Sequence, residues 1–60
     1  MNIFSISEIV DLGIEKEKKR RDFYSMCAKR FSNKDIIELF AKLRDWEETH
    51  IKKFAEIRAS

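Results

Sequence analysis

The sequence predicts an all-α chain folded as an antiparallel two-helix hairpin. Three observations lead there. The 60 residues include no Pro and one Gly, and 40% of them are charged, a composition suited to long helices with solvated outer faces. Apolar residues recur at helical spacing over two long segments, and no segment shows the period of two that marks a strand. The two segments are separated by only a few residues, which makes them antiparallel neighbours. A chain this short forms one domain at most and seldom buries a self-sufficient core, so association, a bound metal or both are expected to complete residues 1–60.

The first helix is expected from about residue 5 to about residue 29. Ser5 followed by Glu8 has the spacing of a capping box. On a helical wheel Ile6, Ile9, Val10, Gly13, Tyr24, Cys27, Ala28 and Phe31 share a face, and Glu17 lies inside it, between Val10 and Tyr24. The break falls at "RFSNKD", where Ser32 and Asn33 are both N-cap residue types and Ser32 has Asp35 three places on. The second helix is expected from about residue 33 to about residue 58. Each helix would be roughly 36 Å long at about 1.5 Å per residue. On the second helix Ile36, Leu39, Phe40, Leu43, Ile51, Phe54 and Ile57 fall on one side. Glu47 sits close to the middle of that stripe, and His50 lies one turn on, beside Leu43.

Glu17 and Glu47 are therefore the acidic residues that point most clearly inward; Glu8, Asp11, Glu15, Asp22, Asp45 and Glu48 lie away from the stripe centres. An isolated buried carboxylate loses its hydration at a cost of several kcal/mol unless something compensates. Each inward group has an ordinary explanation: a hydrogen bond between Glu47 and His50, or an ion pair from Glu17 to Arg20 or Arg21. Taken together they suggest more. A hairpin pivoting near Asn33 sets Glu17 level with Glu47 and His50, and two carboxylates and an imidazole at one level are the donors of a metal site.

Other features carry less. Trp46 is expected to pack at the edge of the stripe, Met26 to fill a gap, and Cys27 to be a small buried residue about three turns from Glu17. The run "KEKKRR" at 16–21 reads as a solvated helix face, and with a net charge of +2 it does not call for nucleic acid. A lone cysteine fits a reducing compartment. The start "MNIFSISEIV" lacks the basic and apolar regions of a secretory signal, and no apolar run approaches the roughly 20 residues that span a bilayer. The expected location is the cytoplasm, with no membrane partner. The sequence has no glycine-rich phosphate loop, nucleophile–base pair or Cys-x-x-Cys.

A Glu on one helix and Glu-x-x-His on the next resembles half the motif of ferritin-like di-iron carboxylate bundles, in which two Glu and two Glu-x-x-His project into a four-helix core. The resemblance is to the rubrerythrin-type branch. It is carried by "IEKEKKRRDFY" (14–24) and "LFAKLRDWEETHIKKF" (39–54), and so covers most of the chain. It implies that Glu17, seven residues before Tyr24, is the first-helix ligand. It also implies that Glu47 is the bridging ligand, that His50 is the terminal one, and that Tyr24 stands near the metals. Glu15 competes with Glu17 by position, but the wheel turns it away. The sequence departs from the family at Arg20, one turn from Glu17, where a small residue is common. A guanidinium there opposes cations unless its stem carries the charge outward.

One half-motif needs a second. Either two chains supply one each in a homodimer, or this is the N-terminal half of a longer rubrerythrin-like protein. Two-helix ferritin-like proteins packaged inside protein shells are the analogy for the first, and imply an encapsulating shell as a further partner. In the dimer, four carboxylates balance two divalent ions. Such a donor set suits Fe or Mn, with Zn the alternative; the resemblance selects two Fe per dimer and implies oxidation of Fe(II) by O₂ or peroxide, a ferroxidase or peroxide-linked oxidoreductase. The contrasting expectation is a metal-free helical-hairpin interaction module whose inward polar residues fix dimer register.

Overall fold

The computed structural model describes residues 5–59, so the signal-peptide reading of the first ten residues falls partly outside the described span. Two helices, α1 (Ile6–Arg30) and α2 (Lys34–Ala59), pack against each other as a hairpin of 49 × 19 × 12 Å. All four helix ends lie within one residue of those expected.

Local chemistry sets the ends. Ser5 is extended (φ −74°, ψ 163°) and its Oγ accepts from the Glu8 N–H at 3.2 Å, while the hydroxyl donates to Glu8 Oε1 at 3.3 Å. α1 stops because Phe31 turns extended (φ −106°, ψ 149°), and Lys29 and Arg30 in the last turn face the negative end of the helix dipole. Of the two cap candidates for α2, Asn33 fills the role. Its Oδ1 accepts from the N–H groups of Asp35 (2.9 Å) and Ile36 (3.2 Å), and its carbonyl takes the first helical bond, from the Ile37 N–H at 3.0 Å.

The seam between the helices buries Val10, Ile14 and Cys27. Gly13 lets it close: a Cβ built there would stand 3.1 Å from Cζ of Phe54, so the ring lies against bare backbone. Towards the turn the seam is aromatic, with Phe31 stacked on Phe40 (centroids 6.0 Å apart) and Tyr24 tilted against Phe40 (6.2 Å). Ion pairs of arginine with carboxylates cross between the helices. Arg21 Nη1 donates to Glu48 Oε1 at 2.9 Å, and Arg58 pairs with Asp11 near the open end. The Glu48 and Asp22 carboxylates raise the pKa of the Arg21 guanidinium above its ordinary value.

The buried set is narrower than the apolar stripes. Ile6, Ile9, Phe31, Leu39 and Ile57, expected to face inward, are exposed on the hairpin, as are Met26 and Trp46. Leu12 and Phe23 are exposed too. The reason is geometric: two helices share one line of contact, and a stripe wider than that line has no second neighbour to cover it. Ile14, one turn after Val10, is buried although the wheel did not mark it, because the seam runs along its side of the stripe.

Candidate metal centre

α1 brings Glu17 and α2 brings Glu47 and His50 to one level of the hairpin. Glu47 and His50 are three apart on one helix, so they rise from adjacent turns of the same face. The cross-helix pairs Arg21–Glu48 and Asp11–Arg58 bracket this level and oppose a slip of one turn, although exposed pairs of this kind contribute only about 0–1 kcal/mol each.

One donor atom from each of the three side chains lies within 4.8 Å of the other two. His50 Nδ1 is 3.3 Å from Glu17 Oε2 and 3.6 Å from Glu47 Oε2. Donors on one ion, with bonds of about 2.1 Å, stand about 3.0 Å apart at a right angle and about 3.4 Å apart at a tetrahedral angle. The two distances from His50 are close to those of donors sharing one ion, and the Glu17 and Glu47 donors lie within 4.8 Å of each other. The same geometry gives His50 and Glu17 a long hydrogen bond, while 3.6 Å leaves a Glu47–His50 hydrogen bond unmade.

Glu47 is the most enclosed of the three. The residue is 6% exposed, the other buried residues being the apolar Val10, Ile14 and Cys27, and its Oε2 is buried with no hydrogen-bond partner among the described residues. The Glu17 side chain is 12% exposed and that of His50 34%, so the group is closed on the Glu47 side and open on the His50 side. There it borders a groove lined by Glu17, His50, Lys53, Phe54 and Ile57.

Glu17 also has an outer partner. Arg20 Nη1 lies 3.4 Å from Glu17 Oε1, one of the two pairings the sequence allowed; the other candidate, Arg21, reaches to Glu48 and Asp22 instead. Glu15 is exposed, as its place on the wheel requires, and Cys27 is buried farther along the seam. Tyr24 packs its ring between Phe23 and Phe40 in the aromatic cluster.

Trp46 was expected to pack at the stripe edge. Its ring meets the His50 ring edge-on, with centroids 5.0 Å apart and an interplanar angle of 73°. The i, i+4 spacing of Trp46 and His50 signals that contact; Trp46 itself is 61% exposed.

Among the described residues no helix is long and apolar enough to cross a membrane. Comparison with protein-family models, curated proteins and solved structures found no match to this chain.

Proposed function

We propose that the chain binds a divalent metal ion through Glu17, Glu47 and His50. The observation that carries this reading is Glu47 Oε2, a buried carboxylate oxygen without a hydrogen-bond donor, beside two other metal-competent donors at ligand spacing. Burying such an oxygen costs free energy that a cation would offset. Two carboxylates and one imidazole suit Fe, Mn or Zn. Iron is the choice that goes with the ferritin-like, rubrerythrin-type resemblance, and the chemistry iron would supply is its oxidation by O₂ or peroxide.

Three protein donors leave an ion's coordination unfinished, and the exposed apolar residues leave the hairpin's surface unfinished. A second copy answers both. Leu39, Trp46 and Ile57 lie on the flank of α2 that carries His50, so a twofold pairing over that flank would cover them and set two half-sites face to face. In this reading a homodimeric four-helix bundle would hold two metal ions, with Glu17, Glu47 and His50 of each chain as the residues that hold them. A metal-free interaction module has one specific point in its favour, the His50–Glu17 contact, which could fix helix register alone.

Elemental analysis combined with native mass measurement, after anaerobic loading with Fe(II), tests the proposal. The expected result is one metal per chain in a dimer, lost in Glu47→Leu. Metal-free protein, or metal retained equally by Glu47→Leu, overturns it.

A further inference from the structure

We propose that Arg20 is the resident counter-ion of this site: its guanidinium competes with the metal for Glu17 and sets the affinity. The inference rests on the metal reading above. Glu17 is divided between two partners, with Oε2 facing His50 Nδ1 at 3.3 Å and Oε1 facing Arg20 Nη1 at 3.4 Å. One carboxylate thus joins the inner imidazole to an outer cation.

Charge and geometry give Arg20 its effect. Glu17 and Glu47 offer an incoming ion two negative charges, and the guanidinium cancels one of them. An ion bonded to Glu17 at about 2.1 Å would stand within about 8 Å of that guanidinium, close enough for repulsion in a half-enclosed groove. Arg20 can also leave. Its side chain is 60% exposed and is attached one turn along α1, so its long stem can carry the charge into water while Glu17 stays in place. The metal-free site is then neutralised in part by a cation of the chain's own, and metal entry exchanges one cation for another. Lys53 lines the same groove, but Arg20 is the basic residue seen in contact with a ligand carboxylate.

Substitution at Arg20 should therefore strengthen the site. Arg20→Gln keeps a long side chain and good helix propensity while removing the charge. Anaerobic titration with Fe(II), and with Zn(II) as a redox-inert probe, should show binding tighter than wild type by up to about five-fold, the worth of an exposed ion pair. The metal-free variant should melt at or slightly below the wild-type temperature, so metal affinity and metal-free stability do not rise together. Arg20→Lys retains the charge and should bind within about two-fold of wild type. Unchanged or weaker binding by Arg20→Gln overturns the proposal. So does Lys53→Gln tightening binding equally, since the effect would then be diffuse charge rather than engagement of Glu17. If wild type binds metal and Glu47→Leu does not, either failure belongs to Arg20 alone. If wild type and Arg20→Gln both bind nothing, the metal reading falls with it.

Discussion

His50 Nδ1 and Glu17 Oε2 stand 3.3 Å apart across the seam, although 33 residues separate them in the chain. The contact is a consequence of register. A helix advances about 5.4 Å per turn, so a slip of one turn would separate the pair beyond any direct interaction. What opposes the slip is distributed: the turn at Phe31–Asn33, the Phe54 ring lying on Gly13, and the Arg21–Glu48 and Asp11–Arg58 pairs. Each is open to a separate test.

The turn is tested through its cap. Asn33 Oδ1 satisfies two N–H groups at the start of α2, whereas Ser32 lies outside the helix. Asn33→Ala should cost about 1 kcal/mol of stability, and Ser32→Ala close to nothing. Urea denaturation of the two variants measures the difference; equal losses would mean that the cap is shared.

The cap also shows how far sequence reasoning reaches here. Ser5, Glu8 and Asn33 act within a few residues of themselves, so spacing alone places both helices. The level shared by Glu17, Glu47 and His50 was legible for a related reason: a short turn between two uniform helices fixes which residues lie opposite. The side of each stripe that meets the partner was not legible. Ile14 is buried and Ile9 exposed because the seam runs off the stripe's centre, and that depends on both helices at once. The choice of Arg20 over Arg21 as partner of Glu17 was open for the same reason, since Glu48 of α2 takes Arg21.

The Gly13–Phe54 contact sets two terms against each other. Gly13→Ala gains about 1 kcal/mol of helix propensity but places a Cβ about 3.1 Å from the Phe54 ring, so the net change should be small. In a Phe54→Ala background the overlap is gone, and Gly13→Ala should stabilise by the full amount of about 1 kcal/mol. A double-mutant cycle by denaturation reads the coupling. The same effect of Gly13→Ala in both backgrounds would show that the ring does not constrain Gly13.

Assembly is tested through the exposed apolar flank. Leu39, Trp46 and Ile57 remain exposed on the hairpin, while only Val10, Ile14 and Cys27 are buried apolar residues in the described chain. So small a core gives a hairpin little stability of its own. Sedimentation equilibrium should find an even-numbered oligomer with the dimer as its unit. Leu39→Lys should shift it toward monomer and lower the melting temperature, which for the wild-type dimer should rise with protein concentration. A stable, folded wild-type monomer at micromolar concentration would remove the twofold bundle.

The last prediction separates a metal ligand from a polar residue that merely sits in a helical core. Glu47→Leu replaces a buried carboxylate, one of whose oxygens has no hydrogen-bond partner, by an apolar side chain of similar reach. Without metal, the wild-type protein bears the cost of that buried group, and a dimer would bear it twice, with carboxylates facing one another. Metal-free Glu47→Leu should therefore melt above metal-free wild type, by an amount that depends on how well the leucine packs. With Fe(II) added anaerobically the order should change. A ligand that binds only the folded state stabilises it, so wild type should shift upward and Glu47→Leu should not move. The two proteins are melted side by side, each with and without metal, and the decisive quantity is the difference between their shifts. Similar shifts in both, or none in either, would leave Glu47 a polar residue of the seam and end its assignment as a ligand.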